Sequence, residues 1–157
     1  MISTYLKYIQ EALSPLNITL GKFDKNFWDS LPNDKDYVCY NPTRGHYYTL
    51  LLNNKIKVGI AGVILNPKHK NFGFFGVYVF KPYRGKGILK IAADLIFKKY
   101  KLYSLISSIE KKNKASIKGH LKAGFIYVDN SNKFDIIEKS QQKKNQVRLV
   151  YRGNNKL

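Results

Sequence analysis

Arg84, Gly85, Lys86, Gly87 and Lys90 fall close together and set three cationic side chains around two glycines. These residue types suit a phosphate or pyrophosphate: its oxygens accept hydrogen bonds from main-chain N–H groups that glycine leaves exposed, and Lys and Arg neutralise its charge. Two other phosphate motifs fail on spacing. A P-loop needs Ser or Thr after its Gly-Lys pair, but Gly85-Lys86 is followed by Gly87, and a dinucleotide fingerprint needs a glycine where Lys90 stands. A second set, Asn113, Ser116, Ile117 and His120, falls at i, i+3, i+4 and i+7 and shares one face if the segment is helical. His120 is its member able to exchange a proton near neutral pH.

The flanking patterns supply the scaffold. Residues 72–80 are aromatic or β-branched except for Gly73 and Gly76, which predicts a buried strand, and Ile88, Ile91, Ala92 and Leu95 recur at helical spacing over 88–101. The basic turn is therefore a helix N-terminus. There the first amides lack intrahelical partners and the macrodipole adds partial positive charge.

Tyr83-Arg84-Gly85-Lys86-Gly87-Ile88 resembles the pyrophosphate loop of the GNAT superfamily of N-acetyltransferases, whose signature is Gln or Arg, two variable residues, Gly, one variable residue, then Gly or Ala. Arg84 and Gly87 match, and Leu89 departs from the small residue expected at the last position. The block from Asn113 to Gly124-Phe125 resembles the family's downstream segment, in which an Asn opens a helix that ends in Gly-Phe. The resemblance covers residues 47–128.

It implies an α/β (α+β) fold with a central mixed, mostly antiparallel sheet of about six to seven strands, splayed between two central parallel strands and flanked by helices. It also implies acetyl-coenzyme A as cosubstrate and direct attack by a primary amine in a ternary complex. Carried over residue by residue, the main chain of Val77, Tyr78 and Val79 holds the pantetheine arm, and an N–H near Val79 faces the thioester carbonyl. Arg84, Gly85, Lys86, Gly87, Ile88, Leu89 and Lys90 form the pyrophosphate site, which stays open only if Leu89 points toward the core. Asn113 holds the arm, and His120 stands where many members place a Tyr that protonates the departing thiolate. Glu110 is the best-placed carboxylate for a general base, but the resemblance transfers no role to it, and solvated surface charge is its simpler reading.

At 157 residues with 44% hydrophobic content the chain suits one domain with one core. It is too apolar for disorder, and no run approaches the roughly 18 apolar residues of a membrane span. The N-terminus lacks signal-peptide features, and the single cysteine, Cys39, cannot form an internal disulfide; both point to the cytoplasm. Cys39 with scattered His46, His69 and His120 offers no metal-ligand spacing, so no metal is expected.

The net charge of +18 is lopsided: residues 1–80 carry nine Lys plus Arg against five acids, and residues 81–157 carry nineteen against five. One reading is an electrostatic funnel for a polyanion; the other, which scarce Arg favours, is compositional drift that leaves solvated lysines on every face. Two functions of different class follow. One is an N-acetyltransferase for an amine-bearing small molecule or protein, monomeric or homodimeric. The other is a nucleic-acid-binding module on the same fold, or an acetyltransferase for an RNA-linked amine.

Along the chain, residues 2–13 read either as a helix presenting Ile2, Tyr5, Leu6, Ile9 and Leu13 or, in part, as a first strand. Residues 23–31 predict a short helix ended by Pro32, with Trp28 as core or substrate lid, and 37–40 a short strand. Residues 46–52 and 56–65 form a hairpin through Asn53-Asn54, with Ile56, Val58, Ile60, Gly62 and Ile64 on one face, and 72–80 completes a meander. Gly73 and Gly76 mark a bulge or close packing. Residues 102–109 form a strand parallel to its predecessor, and 125–129 and 146–152 an antiparallel closing pair. Residues 130–145 read as a mobile connection, or as a short extra element through Phe134, Ile136 and Ile137.

Overall fold

The computed structural model describes residues 15–153 except Cys39, together with Ile2, Thr4 and Leu6. The rest of the reading for 2–13 lies outside the described residues. The elements are β1 (Ile18–Lys22), α1 (Lys25–Ser30), β2 (Gly45–Leu52), β3 (Ile56–Leu65), β4 (Phe72–Val79), α2 (Ile88–Lys99), β5 (Ser104–Glu110), α3 (Lys114–Lys122), β6 (Ile126–Tyr127), α4 (Ile136–Lys139) and β7 (Gln146–Tyr151). They build one seven-stranded mixed sheet in the order β1-β2-β3-β4-β5-β7-β6. Every neighbouring pair is antiparallel except β4–β5, which the α2 crossover makes parallel.

Local chemistry sets most boundaries. Asn53 and Asn54 turn the β2–β3 hairpin at φ of 52° and 57°, a region Asn tolerates. The Asn113 side chain accepts from Ser116 N and opens α3, and Gly124 at φ +96° closes it. β1 was not assigned from the sequence: its five residues include Gly21, and it is held as an edge strand by its pairing with β2 rather than by composition.

Two expectations are corrected and one open choice is resolved. Among the described residues of 37–40 no strand forms; Asn33–Tyr37 is a 3₁₀ turn closed by Val38 N–H to Lys35 O. Lys35 fixes it by donating from Nζ to Trp28 O at 2.9 Å, at the C-terminal end of α1. The expected single face of β3 is broken by a bulge: Leu50 pairs with Gly59 but Leu51 with Lys57, which leaves Val58 as the extra residue. Val58 accordingly packs with Ala61 and Val63, and Ile60 lies in a different cluster. In the 130–145 connection, α4 is fastened by a capping box between Asp135 and Glu138, and Phe134 is buried.

One sheet face carries the main core, where Leu50, Val58, Val63, Phe75 and Leu105 meet α2 and α3 through Ala92, Ile96 and Ile117. The other face is covered in two pieces. Trp28, Leu31 and Val38 lie over Ile60 and Tyr78, and Phe134 lies over Phe72, Ile106 and Val150. Gly76 leaves room for the first piece, since a Cβ there would sit 2.8 Å from Val38 Cγ1; β4 shows no register shift, so its glycines serve packing.

Candidate active site

β4 and β5 pair only at Phe72↔Ser104, Gly73↔Leu105 and Phe74↔Ile106. Beyond that point the strands part, while β4 stays bound to β3 as far as Val79 and β5 to β7 as far as Glu110. The split therefore has two free main-chain edges. Phe80 N–H donates to Val58 O on β3, so by strand alternation the N–H and C=O of Val79, and of Val77, face the split, whereas those of Tyr78 face β3. Val77 and Val79 direct their side chains to the main core, and Tyr78 to the Trp28 cluster.

The basic turn follows directly. Lys81–Tyr83 is a 3₁₀ turn, Gly85 and Gly87 have φ of +76° and +81°, and Gly87 is the N-cap of α2. A Cβ at either glycine would meet nothing within 4 Å, so backbone conformation, not crowding, requires them. The first bond into the helix is Ile91 N–H to Gly87 O, which leaves the amides of Ile88, Leu89 and Lys90 without intrahelical acceptors. Leu89 packs against the core, and a Cβ on Gly119 of α3 would lie 3.7 Å from its Cδ1; its bulk is thus turned toward the core and α3.

The cations of the turn are less available than their number suggests. Arg84 Nη2 pairs with Asp34 Oδ2 at 3.1 Å and its Nε donates to Val79 O at 2.8 Å, and Lys90 Nζ pairs with Asp94 Oδ2 at 3.2 Å. Among the described residues no carboxylate pairs with Lys86. Asp94 stands four residues after Lys90, a helical pairing visible in the sequence. Asp34 carried no such signal, being fifty residues from Arg84.

Asn113 and His120 share α3. Asn113 is half-buried and its Oδ1 is committed to the cap. His120 is buried, with its ring against Phe125 and, at 6.3 Å, Phe75, the first β4 residue beyond the last parallel pair. Its Nδ1 lies 2.8 Å from Ser116 O, which can only accept. In the neutral ring Nδ1 therefore carries the hydrogen and Nε2 the lone pair. Burial lowers its pKa, and the bond to Ser116 offsets this only in part, so the neutral form dominates.

Two further groups belong to this end of the sheet. Ser107, one residue past the last parallel pair, is buried, and among the described residues its Oγ has no hydrogen-bond partner; it has the strand parity of Leu105 and Ile109 and faces the helix layer. Tyr78 OH donates to Asp34 Oδ1 at 2.9 Å, and burial, then Asp34, raises the phenol's pKa. Glu110 pairs with Lys112 at 3.2 Å, as a surface carboxylate does, and His46 and His69 are exposed. No helix among the described residues is long and apolar enough to cross a membrane.

The fold that carries this arrangement has counterparts among known proteins. No curated protein matches the sequence. Among solved structures, the Campylobacter jejuni N-acetyltransferase PseH in complex with acetyl coenzyme A superposes with a TM-score of 0.59 at 11% identity, over 86% of this chain and 98% of that one. The dodecameric spermidine N-acetyltransferase from Vibrio cholerae in an intermediate state gives a TM-score of 0.60 at 15% identity, over 85% and 92%. At such identities these likenesses establish the shared fold. A model of the acetyltransferase (GNAT) family matches residues 11–125, which span the parallel pair, the basic turn and α3, and the chain belongs to that family.

Proposed function

We propose that the protein transfers the acetyl group of acetyl-coenzyme A to a primary amine. The observation that carries this reading is the split between β4 and β5 opening beside the α2 N-terminus, which gives one extended ligand two main-chain edges and an anion site. The residues fit the coenzyme. The amides from Ile88 to Lys90 with Gly85, Lys86 and Gly87 suit its pyrophosphate, Leu89 is out of the way, and the free edge at Val77 and Val79 suits an amide-bearing arm. Ser107 supports the same fit: an unsatisfied buried hydroxyl costs about 1–3 kcal/mol, a deficit that a bound polar group removes.

The coenzyme supplies an activated acetyl thioester. Val79 N–H faces the split and suits stabilisation of the carbonyl oxygen as negative charge develops. Asn113, the N-cap of α3, is assigned to hold the arm. His120 serves as the proton carrier to the sulfur. Since its resting ring is neutral with the lone pair on Nε2, it first takes a proton at Nε2, from the attacking amine, and then gives that proton to the departing thiolate. The proton balance closes without a separate carboxylate base, consistent with Glu110 as a surface residue.

The likeness to a spermidine N-acetyltransferase supports an amine acceptor. The charge of this chain argues against a polycation: the formal net charge is +18, and Asp24, Asp29 and Asp34 beside the Trp28 cluster are each paired with a cation. An amine carried on a neutral or anionic body is the better match. The test is calorimetry with acetyl-coenzyme A, followed by thiol release with an amine panel of graded charge. Saturable binding and amine-dependent thiol release are expected, with polyamines among the poorest acceptors; absence of coenzyme binding to the folded protein would sink the reading.

A further inference from the structure

Arg84 is the arginine of the basic turn, yet all its contacts are internal. Nε donates to Val79 O at 2.8 Å, Nη2 to Asp34 Oδ2 at 3.1 Å, and the guanidinium lies 5.2 Å from the Tyr78 ring centroid. Because Val79 O is on the edge that faces the split, Arg84 occupies an acceptor of that edge. The other oxygen of Asp34 accepts from Tyr78 OH, so one carboxylate ties the Asn33–Tyr37 turn to both β4 and the basic loop. Burial raises the Asp34 pKa, but its bonds to Arg84 and Tyr78 outweigh this and hold the carboxyl below its usual value, hence ionised.

The turn is in turn fastened to Trp28. Lys35, next to Asp34, donates to Trp28 O at 2.9 Å and to Leu31 O at 3.3 Å, and its ammonium lies 5.3 Å from the Trp28 ring centroid. Trp28 and Val38 pack with Tyr78 in the cluster that covers this half of the sheet.

We infer that Asp34 and the coenzyme pyrophosphate compete for Arg84, so that coenzyme binding frees the turn carrying Asp34 and is felt at Trp28. The inference rests on the acetyl-coenzyme A reading above. Energetics favour the exchange. The Arg84 and Asp34 side chains are 44% and 46% exposed, and such a pair contributes about 0–1 kcal/mol. A pyrophosphate already held by helix amides offers the planar guanidinium two acceptor oxygens and more negative charge than one carboxylate. The transfer also clears Val79 O for the coenzyme arm. Asp34 is thus a positioning residue acting through Arg84, and it links occupancy of the coenzyme cleft to the α1 side of the sheet.

The test compares the wild-type protein with Asp34→Asn, using coenzyme A as the probe, calorimetry for affinity and the emission of Trp28, the single tryptophan, for the state of the turn. Wild type is expected to bind with a change in Trp28 emission. Asp34→Asn, lacking the competing charge, is expected to bind about two- to fivefold tighter, the equivalent of an exposed ion pair. Its unliganded emission should already resemble that of liganded wild type. A bridge with only a structural role predicts the opposite sign, so equal or weaker binding by folded Asp34→Asn overturns the inference. Binding to wild type with no Trp28 response overturns it too, while leaving the acetyltransferase reading intact. No binding to wild type overturns both. Arg84→Gln breaks the same link from the other end: unliganded emission matching Asp34→Asn supports the exchange, and emission matching unliganded wild type overturns it.

Discussion

Arg84 and Arg152 each grip one carboxylate, and the two pairs behave as different kinds of object. Arg152 meets Glu138 with side chains 9% and 0% exposed, Nη2 to Oε1 at 2.5 Å and Nε to Oε2 at 3.1 Å. Ser104 Oγ adds a bond to Glu138 at 2.6 Å, Asp135 N–H another at 2.7 Å, and Arg148 donates to Glu138 O at 2.9 Å. Every oxygen is satisfied, and the cluster pins α4 to β5 and β7. Arg84 and Asp34 are half in water, and solvent replaces either partner at little cost. The same chemical pair is a structural fastening where water is excluded and an exchangeable contact where it is not.

The sharpest way to break this comparison is Glu138→Ala. It strands a buried Arg152, whose pKa Glu138 raises, and should cost about 3–5 kcal/mol in urea denaturation. Loss of less than about 1 kcal/mol would put the two pairs in one class.

His120→Phe comes next and carries the contrast into the chemistry. If His120 carries the proton, turnover should fall by about 10² to 10⁴ with coenzyme affinity nearly unchanged. The same variant has a stability signature. Burial depresses the folded-state pKa, so the unfolded chain takes up a proton more readily than the folded one. The stability due to the neutral ring is present above about pH 6.5 and is lost as pH falls below it. Denaturation midpoints of His120→Phe should therefore vary less with acidification than those of wild type. Wild-type turnover in the folded variant would assign His120 to packing alone.

At the basic turn, Gly87→Ala places a side chain at φ +81° and should cost about 1–2 kcal/mol of stability, whereas Gly87→Glu should in addition abolish coenzyme binding by placing an anion at the helix N-terminus. The smallest effects separate the two lysines. Lys86→Ala, which removes a cation with no carboxylate partner among the described residues, should weaken coenzyme binding by up to about fivefold. Lys90→Ala, which also unpairs Asp94, should change it less or differ only in salt dependence, and calorimetry at two salt concentrations distinguishes them.

Much of this molecule was legible because the information is local. Asn53-Asn54, Asn113, Gly124 and the two glycines of the basic turn each state a backbone requirement within a few residues, and the aromatic and β-branched run over 72–80 and the helical spacing after Gly87 carry their elements unaided. β1 was illegible for the converse reason, since an edge strand of mixed composition is chosen by its partner. The Val58 bulge is likewise a property of the β2–β3 pairing, and it reverses which residues of β3 share a face. Residues 37–40 have strand composition, but Lys35 and the α1 carbonyls fix the 3₁₀ turn Asn33–Tyr37 that runs into that stretch.

The sequence by itself determined the site's parts: a basic, glycine-rich turn at a helix N-terminus, a strand leading into it, and an Asn and a His on one helix face. Those follow from spacing and backbone preference, which neighbouring residues fix. Only the tertiary structure decided how that chemistry is held in check. The end of parallel pairing at Phe74↔Ile106, the neutral tautomer of His120, the inward turn of Leu89 and the capture of Arg84 by Asp34 all depend on which surfaces meet and how much water remains between them. Charge can be counted along a chain; the screening and burial that set its effect arise only when distant segments pack.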